Sequence, residues 1–233
     1  MCYFIITCWS LLWTLSSIAT LMVIVISVMS PQWLIGPSRK FGLNSQWENT
    51  TSDDSNELFN PTVGIFNRCT RLHRFQEVYK RENCATFVTG FDMENDFFPH
   101  AWKACLFFFS VAIIFLLFTC ITSLLSMCFR SLCGKSIFTV SGLIQSIAGL
   151  MNILGLFLYP AGWGARRLNL LCGDKASPFY IDQCSMGWSF YVCVFGTLMA
   201  FGCSMLSIKA DLSTSSRKVE EEVLEGKNLI CVI

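Results

Sequence analysis

The residues in this chain with the clearest chemistry are its cysteines. Thirteen occur, and most lie inside apolar runs, where a thiol behaves as a small hydrophobic side chain. Two pairs lie instead in polar segments: Cys69 with Cys84, and Cys172 with Cys184. Cysteines in such a setting can form disulfides, bind zinc or exchange thiols with a substrate.

Disulfide formation is the chemistry that the spacing favours. Thiol exchange needs a motif such as Cys-x-x-Cys, and the nearest candidate, Cys128 with Cys133, is too widely spaced. A zinc site from Cys69, His73 and Cys84 would compete with a disulfide between the same cysteines. We therefore predict no catalytic residue, no cofactor and no metal site. Pairing within each polar segment would close short loops, but pairing between the segments stays open, because four cysteines allow three connectivities.

The chain that carries these cysteines has the composition of a membrane protein. Hydrophobic residues make up 53% of the 233 and charged residues 14%, against about 25% charged in soluble domains. A net charge of +1 favours no nucleic-acid partner. Four charge-free stretches reach the length of about 20 residues that crosses a bilayer. We predict a single tetraspan membrane domain, residues 1–233, with spans at about 10–30, 104–128, 136–159 and 186–208.

The four spans place the two long connections, 31–100 and 160–185, on one side of the membrane. The positive-inside rule does not decide which side, because the long connections carry more Lys and Arg than the short turn and the tail at 209–233. The paired cysteines and a glycosylation sequon at Asn49 favour an oxidising, extracellular or lumenal side. We therefore predict cytosolic termini and a multi-pass protein of the plasma membrane or an endomembrane of the secretory pathway.

One face of the third span combines small and amide side chains. Gly142, Gln145, Gly149 and Asn152 follow one another at steps of three, four and three residues. Small residues allow close helix approach, and amides can bond across helices in lipid. We interpret this face as internal packing with both amides bonded to neighbouring helices; a polar pathway or a seam for a partner helix is the alternative.

Tryptophans lie close to several predicted span ends, which favours an aromatic belt at the headgroup level. They are Trp9, Trp13, Trp33, Trp102, Trp163 and Trp188. Pro160 is expected to end or kink the third helix, because its ring removes a hydrogen-bond donor. Gly162 and Gly164 then permit a turn, with Trp163 at the outer interface.

Several segments resemble known tetraspan proteins. Trp33, then Gly64-Ile65-Phe66-Asn67-Arg68-Cys69 and Cys84, resemble the first-loop signature of the claudin superfamily, with Phe66 where claudins have Trp and with the cysteines further apart. The remaining matches are similar to the LHFPL (lipoma HMGIC fusion partner-like) tetraspan family over essentially the whole chain. They are Met1-Cys2, Leu12-Trp13-Thr14-Leu15, Trp33-Leu34-Ile35-Gly36, Leu158-Tyr159-Pro160-Ala161-Gly162-Trp163-Gly164 and Glu225-Gly226-Lys227-Asn228-Leu229-Ile230-Cys231.

The resemblance implies an all-α membrane fold: a left-handed four-helix bundle with a small extracellular antiparallel β-sheet built from both loops. It implies that Trp33, Gly64, Ile65 and Phe66 anchor the sheet. It also implies a non-enzymatic accessory subunit in a channel, receptor or adhesion complex. The expected partners are the lipid bilayer and other integral membrane proteins, with a homo-oligomer as a further option.

Two rival functions stay open. One is a claudin-like protein of cell contacts. The other is a channel or carrier, which is disfavoured because transport sites usually place ionisable groups inside the spans.

Overall fold

The computed structural model describes residues 4–37, 60–70, 83–86, 99–127, 131–132, 135–217, 219 and 229–232. The helices in this part of the chain are α1 (Cys8–Met29), α2 (His100–Leu125), α3 (Ile137–Ala161), α4 (Arg166–Cys172) and α5 (Trp188–Thr214). The strands are β1 (Phe4–Thr7), β2 (Leu34–Ile35), β3 (Thr62–Val63), β4 (Asn67–Thr70), β5 (Asn83–Thr86), β6 (Ser131–Leu132), β7 (Lys135–Ser136), β8 (Ser185–Met186) and β9 (Leu229–Val232).

Four of these helices are long and apolar enough to cross a membrane, which confirms the tetraspan prediction. They are α1, α2, α3 with its 3-10 extension to Gly164, and α5. Two of these helices extend past the residues at which the spans were predicted to end. Pro160 lies inside α3, which runs on to Ala161, because a proline in the last turn removes one hydrogen bond and leaves the earlier turns intact. Helix α5 runs on to Thr214, into the segment assigned to the tail.

Residues 1–27, 104–157 and 191–233 form one compact unit, which we call the bundle unit. Its core includes a cluster of Trp13, Phe138, Cys203 and Ala210, all at most 2% exposed. Apolar side chains such as those of Phe107, Leu143, Phe157, Leu198 and Met205 are instead at least 63% exposed. These side chains are the surface that a membrane protein of this kind presents to lipid.

The beginning of α1 is tied to the end of α5. Thr7 and Ser10 cap α1 reciprocally: Thr7 N donates to Ser10 Oγ at 3.0 Å, and Ser10 N donates to Thr7 Oγ1 at 3.2 Å. The hydroxyls of Thr7 and Ser213 lie 2.8 Å apart, within hydrogen-bond distance. Strand β1, which ends at Thr7, pairs with β9 in a parallel two-stranded sheet.

Residues 28–103 and 158–190 form the second compact unit, which we call the loop unit. Its sheet has the strand order β5-β4-β3-β2-β8, with antiparallel neighbours throughout. Four strands come from the first long connection and β8 comes from the second. The prediction of transmembrane helices with a small antiparallel sheet built from both loops is therefore confirmed.

Candidate functional site

Five aromatic side chains of the loop unit form a cluster centred on Tyr159, which is 1% exposed and contacts three of the other four rings. The Trp33 ring meets the rings of Tyr159 and Phe190 edge-on, with centroids 4.9 and 5.9 Å apart. Trp102 stacks on Tyr159 at 5.8 Å, and its Nε1 donates to the Tyr159 carbonyl at 3.1 Å. Trp163 meets Tyr159 edge-on at 6.1 Å. Aromatic pairs of this geometry contribute about 0.5–1.5 kcal/mol each beyond burial, so this cluster is a stabilising core of the unit.

This cluster corrects the prediction of an aromatic belt. Trp33 and Trp102 are at most 1% exposed and Trp163 is 3% exposed, so these rings are buried in protein. Trp13, in the bundle unit, is also completely buried. Of the six tryptophans, Trp9 and Trp188 keep exposed rings, at 41% and 45%. The physical reason is that packing on other rings stabilises an aromatic side chain near a span end, just as contact with the lipid headgroups does.

At two glycines of the predicted signature, neighbouring atoms come so close that they leave no room for a Cβ atom. A Cβ on Gly64 would lie 2.8 Å from Pro31 Cα, and Gly64 N donates to Asn67 O at 2.7 Å. A Cβ on Gly162 would overlap the indole of Trp102. Both positions therefore accept no larger residue without a shift of their neighbours.

The other signature residues have smaller or different roles. Ile65 is 1% exposed, whereas Phe66 is half-buried. A Cβ on Gly164 would lie 2.9 Å from Pro178 Cδ. The carbonyl of Pro160 accepts a hydrogen bond from the Phe179 amide at 3.0 Å, which ties the end of α3 to the second connection.

The polar cysteines lie in the loop unit, and the described side chains include a disulfide. Cys172 and Cys184 are joined, with their Cα atoms 5.0 Å apart. Cys69 and Cys84 are directly opposite in the ladder between β4 and β5. Opposite residues of an antiparallel pair have Cα atoms about 4.5–5.5 Å apart, within the range that a disulfide spans. The backbone register is thus compatible with local pairing in both segments. Asn49, the predicted glycosylation site, lies outside the described residues.

Gln145 is the centre of a buried hydrogen-bond network in the bundle unit. It is completely buried on α3 and contacts α1 twice. Trp13 Nε1 donates to Gln145 Oε1 at 3.3 Å, and Gln145 Nε2 donates to Ser17 Oγ at 3.1 Å. The amino-acid sequence alone did not identify Trp13 as a hydrogen-bond partner of Gln145. A signal existed, because Ser10, Trp13, Thr14 and Ser17 recur at helical spacing and mark a polar stripe on α1.

The neighbouring positions on α3 face α5 or remain unpaired. Gly142 approaches Ser207, and a Cβ on Gly149 would lie 2.9 Å from the Phe201 ring. Ser204 Oγ donates to the Gly142 carbonyl at 2.8 Å. Asn152 is completely buried, but neither of its amide atoms has a hydrogen-bond partner among the described residues. The expectation that both amides bond to neighbouring helices is therefore wrong for Asn152 within the part of the chain that the structure describes.

The described spans contain few side chains that carry a charge. Asp, Glu, Lys, Arg and His are missing between Ala104 and Leu125, between Ile137 and Ala161, between Trp188 and Ile208, and throughout α1. Within the described residues, no group of three or more His, Cys, Asp or Glu side chains could hold a metal ion. The features that stand out are therefore the Gln145 network and the loop unit with its aromatic core and disulfide.

The comparisons with known proteins agree with this architecture. The family described as lipoma HMGIC fusion partner-like protein matches residues 9–209. The chain is 42% identical to LHFPL tetraspan subfamily member 2 protein of Homo sapiens, over 100% of both chains. It is 39% identical to subfamily member 2a protein of Danio rerio, again over 100% of both. It is 30% identical to subfamily member 3 protein of Danio rerio, over 46% of this chain and 48% of that one.

Proposed function

Because this chain belongs to the lipoma HMGIC fusion partner-like (LHFPL) tetraspan family of membrane proteins, we propose that it is a non-enzymatic accessory subunit of a partner membrane complex. The partner would be a channel, a receptor or an adhesion protein. Residues 1–233 would act as a single tetraspan domain. The names of the relatives specify membrane topology and family, and they name no partner.

The proposal includes an orientation. The disulfide between Cys172 and Cys184 supports placing the loop unit outside the cell or in the secretory lumen, because disulfides persist in oxidising compartments. With four spans, the regions around Thr7 and Ser213 then face the cytosol. In this orientation Asn49 is accessible to the glycosylation machinery, and Cys69 and Cys84 form the second disulfide. Removal of N-glycans from the wild-type protein but not from Asn49→Gln, seen as a gel shift, tests the orientation directly.

The single observation that carries the accessory role is the packing and cross-linking of the described part of the loop unit. Its sheet, its aromatic core around Tyr159 and its disulfide hold a fixed surface, whereas the described exterior of the bundle unit is dominated by apolar side chains. A preorganised surface loses little conformational entropy when a partner binds. The span interiors lack the ionisable groups on which carriers depend, which makes the channel or carrier alternative weaker.

The test is purification of the tagged full chain in mild detergent, followed by mass spectrometry of the proteins that co-purify. We expect a membrane protein to recur with the wild-type chain and to be reduced with Cys172→Ser/Cys184→Ser. The matched control is Cys8→Ser, which removes an exposed free cysteine and should retain the partner. If the double variant fails to reach the cell surface, Tyr180→Ser replaces it, because Tyr180 is 56% exposed.

The claudin-like alternative predicts a different outcome. A cell-contact protein would recover mainly copies of itself and would form strands where two expressing cells meet. Such strands, together with no recurring partner, would refute the accessory role.

A further inference from the structure

A cleft of about 480 Å³ opens in the loop unit. Its walls come from the start of α2, the end of α3, α4 and the loop that follows α4. Six of its lining residues are Pro99, Ala161, Gly162, Arg166, Asn169 and Pro178. Volumes of about 300–1,000 Å³ are typical of small-molecule sites, so a compact ligand group fits.

The cleft lies where two spans end. Helix α2 begins at His100, next to Pro99, and the helical run of α3 ends at Gly164. Residues at the ends of membrane-spanning helices lie at the level of the lipid headgroups. Phospholipids are therefore the molecules at the highest local concentration around this cleft.

Arg166 gives the cleft a positive charge. Its side chain is exposed, and no carboxylate in the described part of the chain forms an ion pair with it. A guanidinium binds a phosphate with two parallel hydrogen bonds and holds its charge at any physiological pH. Asn169 lines the same wall, with its Oδ1 buried and without a hydrogen-bond donor among the described residues. The cleft thus places a cation that suits a phosphate beside the polar side chain of Asn169.

Two exposed aromatic residues follow Pro178. Phe179 and Tyr180 are 63% and 56% exposed, in a turn closed by reciprocal backbone hydrogen bonds between Ser177 and Tyr180. The Phe179 amide donates to the carbonyl of Pro160, so the turn is tied to the last turn of α3. Phe179 also has a φ of +65°, a strained conformation for a bulky residue and one that recurs at binding sites. Aromatic side chains at this level are typical membrane-interface anchors.

We propose that this cleft binds the headgroup of a membrane phospholipid. Arg166 contacts the phosphate, and Phe179 and Tyr180 pack on the glycerol region. This binding site does not depend on the accessory role, because it uses the chain's own residues and the surrounding bilayer.

The experiment is a titration of the purified full chain by native mass spectrometry, with dioctanoyl phosphatidylethanolamine as the probe. We expect Arg166→Gln to weaken binding about tenfold, the usual scale for one charge-assisted hydrogen-bonded contact. Arg166→Lys should keep most of the affinity because it keeps the charge. The control is Lys175→Gln, which removes an exposed cation of the same unit that does not line the cleft. Because Arg166 is exposed, its variants should keep the thermal stability of the wild type.

Two further probes identify the source of the phosphate. Dioctanoylglycerol, which lacks phosphate, should bind at least tenfold more weakly than the phospholipid, and inorganic phosphate should not compete at millimolar concentration. Equal phospholipid binding by the wild type and Arg166→Gln would overturn the proposal. Equal binding of dioctanoylglycerol would overturn it as well, and effective competition by inorganic phosphate would assign the cleft to soluble anions instead.

Discussion

Replacement of Gln145 by leucine tests whether a buried polar network holds α1 and α3 together. The amide of Gln145 accepts from Trp13 Nε1 at 3.3 Å and donates to Ser17 Oγ at 3.1 Å. Leucine has a similar volume but bonds to neither group. Because Gln145 is completely buried, water cannot take its place without opening the helix packing.

The expected cost follows from the two lost contacts. Interhelical hydrogen bonds in membrane proteins contribute about 0.6 kcal/mol each on average, so both together account for about 1 kcal/mol. Trp13 Nε1 then lacks an acceptor, and a stranded buried donor costs about 1–3 kcal/mol. We expect Gln145→Leu to lower the free energy of unfolding by about 2–4 kcal/mol.

A double-mutant cycle with Trp13→Phe isolates the network. Trp13→Phe removes the donor, so adding Gln145→Leu in that background leaves no indole N–H without an acceptor. The second change should then lower the free energy of unfolding by about 1 kcal/mol or less. The coupling energy is then about 1–3 kcal/mol. The measurement is reversible unfolding of the full chain in mixed micelles at increasing SDS fraction. Leu143→Ala, at a position that is 63% exposed on the same helix, is the control for a change without buried polar contacts.

A coupling energy of zero would refute the reasoning, since Gln145 and Trp13 would then contribute independently. Equal destabilisation by Leu143→Ala would show that the assay responds to helix propensity or lipid contact. A more stable Gln145→Leu would show that burial of the amide costs more than its two hydrogen bonds return.

Three further outcomes are expected. Asn152→Leu should raise the free energy of unfolding by about 1 kcal/mol in the same assay, because both amide atoms lack described partners; a decrease would reveal a bound water or another partner. Gly162→Ala should cost about 1–3 kcal/mol through overlap with a tryptophan ring, whereas Gly202→Ala, with no atom within 4 Å, should be neutral or slightly stabilising. Non-reducing peptide mapping should recover a cross-link between Cys172 and Cys184, and removing it should cost about 3 kcal/mol; a mixed pairing would contradict the structure.

Much of the architecture was predictable because the relevant signals are local in the chain. A span needs about 20 consecutive apolar residues, so each window can be judged without knowledge of its neighbours. The polar cysteine pairs were visible in the same way, because their setting differs from that of the cysteines in apolar runs. The small-residue positions Gly142 and Gly149 followed from helical spacing alone, although the spacing did not show that α5 is their neighbour.

The tryptophans show what local sequence signals cannot predict. Trp13, Trp33, Trp102 and Trp163 all lie near apolar segments, and a belt at the headgroups was the natural interpretation. The structure buries all four. Whether a ring turns toward lipid or toward protein depends on which other rings and polar groups the fold brings within reach, and those partners lie far away in sequence.

The amino-acid sequence by itself determined that this is a four-span membrane protein, and which segments carry its polar cysteines. Only the tertiary structure decided that Gln145 bonds to Trp13, 132 residues earlier, and that Tyr159 lies at the centre of an aromatic core. The physical reason is that the interior of a membrane protein and the lipid around it are both apolar. Hydropathy therefore identifies the span, but it cannot tell which face of that span packs against protein.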